Sequence, residues 1–184
     1  MKKVFATVAA VALILSPFEA LKANAADANV YLNMVQTVER IGIDFKLNPL
    51  KCDTVAEQSG MPNLFGWYYA AERELVVCQE NRVAGSTKPV EWTEEDLDTL
   101  RHETHHLVQD CVDGVIDGSM ESLYHKPIEL SREVLTTEHI GQILKVYEDA
   151  PPNVKVLELE AFSVAAVNDP AEQVKDLKTY CLGE

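Results

Sequence analysis

The stretch that decides the reading is Thr93-Glu94-Glu95-Asp96-Leu97-Asp98-Thr99-Leu100-Arg101-His102-Glu103-Thr104-His105-His106-Leu107-Val108-Gln109-Asp110-Cys111. Thr93 followed by three acidic residues is a helix start: its hydroxyl can accept from an orphan N–H of the first turn, and the acids sit at the positive end of the helix dipole. Leu97, Leu100, Thr104, Leu107, Val108 and Cys111 recur at helical spacing and give the helix a face to bury. The pattern predicts a helix running to about Val112 and stopping near Gly114.

On that helix, residues four apart differ by about 40° around the axis, so His102 and His106 project from one face and can grip one ion. Glu103 is rotated by about 100° from His102, which lets it reach a metal-bound water without taking a ligand position. A zinc ion of this kind takes three protein ligands and keeps a position open for water. The expectation is therefore one Zn2+ per chain held by His102, His106 and a residue from a later helix, with Glu103 as the catalytic base. The third ligand is expected in Glu158-Leu159-Glu160-Ala161-Phe162. Glu158 is preferred, because Ala161 and Ala165 lie near its face and would let the helix approach the metal; Glu160 points roughly the other way and is the alternative. His105 lies about 60° from His102 on the side away from His106, so it is expected to hydrogen-bond or to be exposed rather than to ligate.

Outward from this helix, Val30, Met34, Val38 and Ile41 predict an N-terminal helix. Asn48-Pro49, Ser59-Gly60 and Pro62-Asn63 punctuate a loop. Phe65 to Tyr69 and Glu74 to Cys78 read as a hairpin across Ala70-Ala71-Glu72-Arg73, and residues 81 to 89 as a polar loop. Beyond Gly118 the chain reads as irregular to Pro127, followed by helices at about 129 to 148, 153 to 168 and 170 to 180, with breaks at Pro151-Pro152 and Pro170. The fold class is α+β: mostly helical, with a small antiparallel hairpin or sheet preceding the metal-binding helix.

The chain opens with Lys2-Lys3, an apolar run from Val4 to Leu15, and the small-x-small triplet Ala23-Asn24-Ala25. That order reads as a signal peptide over residues 1–25, too short in its apolar part for the roughly 20 residues of a membrane span. Residues 26–184 then form a single domain, exported to the periplasm or secreted, with no stable membrane anchor after cleavage. Loss of Lys2, Lys3, Lys22 and Glu19 takes the formal charge from −14 to −16, which repels polyanions and excludes nucleic acid as a partner. Cys52, Cys78, Cys111 and Cys181 form an even set that suits an oxidising compartment and two disulfides. No pair is spaced as C-x-x-C. Four cysteines allow three pairings, among which sequence alone does not choose. We favour Cys52 with Cys78 and Cys111 with Cys181, since the second bridge would staple the C-terminal segment to the end of the catalytic helix.

With His102-Glu103-Thr104-His105-His106 and the downstream Glu158, Ala161 and Phe162, the chain resembles the gluzincin metallopeptidases, which pair His-Glu-x-x-His with a later Glu, commonly in an E-x-x-A-D context. Phe162 departs from that pattern, and the missing Asp takes away the usual support of a histidine ligand. Asp110, one turn past His106, is the substitute considered, although a solvated helix-end acid is its simpler reading. Cys52, Pro62-Asn63, Trp67-Tyr68 and Leu75-Val76-Val77-Cys78-Gln79-Glu80 also resemble a group of small secreted bacterial proteins classed as metallopeptidases. This second resemblance covers roughly residues 50 to 112. It implies the Cys52–Cys78 bridge and a substrate lying along the hairpin strand.

The function these readings imply is an exported zinc-dependent metallopeptidase acting on a peptide or protein substrate. Zinc would acidify its bound water, Glu103 would take the proton, and Tyr124, His125, His139 or Tyr147 would face the oxyanion. Trp67, Tyr68 and Tyr69 either line a substrate groove or pack beneath a helix. The rival reading is a zinc-binding or interaction module of the same fold without turnover, and a purely structural protein comes third.

Overall fold

A computed structural model describes residues 25–59, 65–167 and 169–184 of the protein. In chain order it shows α1 (Ala25–Ile41), β1 (Asp44–Leu47), α2 (Lys51–Ser59), β2 (Gly66–Tyr69), β3 (Glu74–Val77), α3 (Glu94–Cys111), α4 (Pro127–Val134), α5 (Thr137–Val146), α6 (Pro152–Val167) and α7 (Pro170–Asp176). A 3-10 turn, Ala70–Glu72, joins β2 to β3, and a π-helical turn, Leu177–Cys181, follows α7. The class is α+β and mostly helical, as expected. The expected signal peptide, apart from Ala25, and the Pro62-Asn63 pair lie outside the described residues.

Helix α3 is the centre of the molecule. Its start is a capping box: Thr93 Oγ1 accepts from the Asp96 N–H at 3.2 Å, and the Asp96 carboxylate accepts from the Thr93 N–H at 2.9 Å. From His102 to Cys111 every residue is buried, because β2, β3, α6 and α7 pack around it. Leu97, Leu100, Leu107, Val108 and Cys111 join Met34, Val38, Leu75, Val77, Val174 and Leu177 in one core.

The sheet corrects one expectation. The hairpin forms, with β2 antiparallel to β3, but a third strand, β1, lies parallel on the other side of β3, giving the order β1-β3-β2 and a mixed sheet. Asp44–Leu47 is too short to show a period of its own, and its partner is 30 residues away in sequence. The parallel connection needs a crossover, and α2 lies in it, where the sequence reads as a loop. Cys52 on α2 bonds to Cys78 just past β3, and this pair packs with Val76 and Trp67 on the sheet face turned away from α3.

The expected helix at 129 to 148 is two helices, split at Leu135-Thr136, where the Thr136 hydroxyl accepts from the His139 N–H and caps α5. The expected helix at 170 to 180 is α7 plus the π turn, which carries Cys181 to Cys111 at a Cα separation of 5.0 Å. Both disulfides join the cysteines favoured from the sequence. Among the described residues, no helix is long and apolar enough to cross a membrane.

Candidate metal centre

Helix α6 crosses α3 with Ala161 and Ala165 buried, and the Ala165 carbonyl accepts from Arg101 Nε at 2.8 Å. The small side chains let the two helices come close enough for the α6 glutamates to reach the α3 histidines. His102 Nε2 and His106 Nε2 stand 3.0 Å apart, and Glu158 Oε2 lies 3.4 Å from the first and 3.5 Å from the second. These three atoms belong to the one group of potential metal ligands found among the described residues.

The triangle they make fits a metal ion. A tetrahedral site with bonds of about 2.0 to 2.1 Å has ligand-to-ligand edges of about 3.3 Å. Glu158 Oε2 is buried and accepts no hydrogen bond from the described residues, which for a carboxylate oxygen points to a cation as its partner. Burial would lower the His106 ring, yet the facing Glu158 and Glu103 carboxylates and the Gln109 side chain lift it to about 9. Burial would raise the Glu158 carboxyl, but His102 and His106 beside it hold it well below the ordinary carboxylate range. The cluster therefore favours a positive charge at its centre.

Gln109, which the sequence reading passes over, supports the second histidine. Its amide nitrogen donates to the Leu157 carbonyl at 3.1 Å and to Glu160 Oε1 at 3.0 Å. Its oxygen is therefore the acceptor for His106 Nδ1 at 2.8 Å, which keeps a proton on Nδ1 and makes Nε2 the nitrogen that a metal would take. The signal was in the sequence as a polar residue one turn beyond His106. Asp110 does not take this role, nor is it solvated. It is fully buried, accepts from the Tyr68 hydroxyl at 2.6 Å and the Gly118 N–H at 2.7 Å, and so ties β2 and the 114–118 turn to α3.

Glu160 faces away from the cluster. Its carboxylate accepts from His105 Nε2 at 2.9 Å, from Gln109 and the Leu123 N–H, from the Tyr124 N–H at 3.3 Å, and from the Ser122 hydroxyl. Burial would raise its carboxyl, yet these donors, His105 first, hold it down to about 2. His105 is itself fully buried, and burial lowers its ring against the pull of Glu160, so it is the neutral donor of an α3–α6 tie.

Glu103 is buried beside the cluster. Burial raises its carboxyl, opposed by His102 and His106, and it accepts a hydrogen bond from the Tyr68 backbone N–H. That N–H is free to point outward because of strand register. The Phe65 carbonyl accepts from the Cys78 N–H, so alternate pairs starting there are the hydrogen-bonded ones, and Gly66 and Tyr68 turn their backbone groups to the open edge of β2. Gly66 is what allows the close approach: a Cβ there would sit 2.6 Å from the Val76 carbonyl oxygen, 2.7 Å from Thr99 Cγ2 and 3.2 Å from Glu103 Cγ.

Of the four residues expected to face an oxyanion, Tyr147, directly after α5, stands at the site. Its phenol is raised by burial and by the Glu158 and Glu103 carboxylates it faces. His125 and His139 are exposed, and Tyr124 contributes its backbone N–H to Glu160. Trp67 lies outside the cleft, its indole donating to the buried Glu74 at 3.0 Å; Tyr68 packs under α3, and Tyr69 is exposed. A cleft of about 240 Å3 opens beside His106 and Glu158, walled by Met120, Val154 and Leu157, with Gly118, Ser119 and Asn153 also lining it. A larger one of about 370 Å3, lined among others by Val30, Asn33, Val174 and Lys178, holds none of these groups. Compared with known proteins, the chain matches no family model, no curated protein and no solved structure.

Proposed function

We propose that the protein is an exported zinc-dependent metallopeptidase, residues 26–184 forming its single zincin-like domain. The observation that carries this reading is the His102–His106–Glu158 triangle, with edges of metal-site length and a buried Glu158 oxygen that accepts no hydrogen bond from the described residues. Borderline, nitrogen-rich donor sets of two imidazoles and one carboxylate suit zinc. A zinc ion held there supplies an acidified water and a polarised carbonyl.

The protein's own groups do the rest. Glu103, held at the cluster by the Tyr68 N–H and raised by burial, accepts a proton in the cleft and returns it to the leaving amine. Tyr147 presents its hydroxyl to the developing oxyanion. The outward backbone groups of Gly66 and the outward Tyr68 carbonyl offer an extended peptide a strand edge, and the cleft beside His106 receives an apolar side chain next to the scissile bond. The two disulfides fit a periplasmic or secreted protein.

The test is metal content and peptidase activity in four proteins. Wild type is expected to hold about one zinc per chain. His106→Ala and Glu158→Ala are expected to lose metal and activity together. Glu103→Gln is expected to keep its zinc while activity falls by roughly 10² to 10⁴. Equal, near-zero zinc in wild type and His106→Ala overturns the reading. Stoichiometric zinc with no cleavage of unfolded or peptide substrates returns the protein to the alternative, a zinc-binding module.

A further inference from the structure

The two histidines of the cluster are held in different ways. His106 Nδ1 donates to Gln109, whereas His102 Nδ1 is buried without a hydrogen-bond partner among the described residues. What packs on His102 is Phe162, one turn beyond Glu158 on α6, with ring centroids 4.3 Å apart and planes tilted by 56°. Residues four apart share a helix face, so α6 delivers both the ligand glutamate and this ring to the same place. A phenyl ring fixes an imidazole by contact and keeps water away, but it offers no acceptor in the ring plane.

We infer that Phe162 is the positioning residue for His102, orienting that ligand by packing where His106 is oriented by a hydrogen bond, so that His102 is the weaker-anchored half of the pair. The inference rests on the metal-site reading above. It places the site's adjustable point at residue 162. Removing the ring lets His102 turn and weakens metal binding. An acceptor on the same face, in reach of the unpaired Nδ1–H, strengthens it.

The experiment measures Zn2+ and Co2+ affinity by chelator competition, with the visible spectrum of the Co2+-loaded protein, for wild type and the Phe162→Ala, →Leu and →Asp variants. Supports that act on metal-bound histidines change affinity by roughly 10 to 100-fold. Phe162→Ala is expected to bind roughly tenfold more weakly, Phe162→Leu to recover most of that loss, and Phe162→Asp to bind more tightly than wild type with a shifted Co2+ spectrum. Val164→Ala, which opens a space at a buried position of the same helix, is expected to leave affinity and spectrum unchanged. Phe162→Ala binding as wild type does, or Val164→Ala weakening the metal as much as Phe162→Ala, overturns the inference while leaving the metal site standing. Phe162→Asp binding no more tightly than Phe162→Ala overturns it as well. Wild type that binds neither ion overturns the site reading and the inference with it.

Discussion

Glu158 and Glu160 stand two residues apart on one helix, and both reach α3, yet the fold treats them oppositely. Glu160 is fully buried and surrounded by donors from His105, Gln109, Ser122, Leu123 and Tyr124. Glu158 has one buried oxygen that accepts nothing from the described residues and faces two imidazole nitrogens. A buried carboxylate is tolerated when its charge is matched. The fold matches Glu160 with fixed hydrogen-bond donors, and Glu158 with the two imidazoles of a cluster that could hold a metal ion.

The largest separation between them comes from removing each. Glu158→Ala is expected to weaken zinc binding sharply and to destabilise the metal-free protein less than Glu160→Ala does. Glu160→Ala is expected to destabilise the metal-free fold by about 3 to 5 kcal/mol, because its donors are left buried and unpaired. Urea unfolding and chelator competition on both variants check this, and a Glu160→Ala protein as stable as wild type breaks the comparison. Gln109 belongs to both networks, so Gln109→Ala sharpens it: metal affinity should fall by about 10 to 100-fold and stability should fall too. Loss of stability alone would show that the His106–Gln109 bond does not orient a ligand.

Gly66 tests whether Glu103, the proposed catalytic base, depends on packing as Glu158 does. Gly66→Ala places a methyl against a backbone carbonyl and Thr99, and it should cost about 1 to 3 kcal/mol. Activity should fall further than zinc content, because the displaced strand carries the N–H that holds Glu103. Unchanged thermal unfolding would refute the close approach.

The smallest effect concerns Glu74, another buried carboxylate of the Glu160 kind, which accepts from Lys46, Lys51 and Trp67. Burial would raise its carboxyl, but these partners lower it below its ordinary value. Its contribution to stability is therefore complete above the unfolded carboxyl value of about 4.3, and it is lost as pH falls through the lower folded value. Thermal unfolding of Glu74→Gln against wild type from pH 7 to pH 3 should show a gap that closes on the acid side. A gap that stays constant would show that the carboxylate's charge is not what matters.

What the sequence by itself determined is what short-range physics writes into it. The capping box at Thr93, the apolar stripe of α3 and the four-residue spacing of His102 and His106 are visible in the chain because a helix repeats locally. The hairpin of β2 and β3 is legible for the same reason, and the even cysteine count anticipates two bridges. The parallel strand β1, the crossover helix α2 and the break at Leu135-Thr136 are short pieces whose state is set by partners elsewhere in the fold.

The tertiary structure alone decided the roles of the residues around the histidines. Asp110 reads as an exposed acid yet is buried against Tyr68 and the 117–118 turn, while Gln109 carries the hydrogen bond to His106. A helical wheel ranks Glu158 over Glu160 by direction, but which carboxylate meets donors and which is left without them depends on where the 122–124 segment and α6 come to rest against α3. That outcome depends on residues 36 to 55 positions apart in sequence, brought together only by packing, and no local period encodes it.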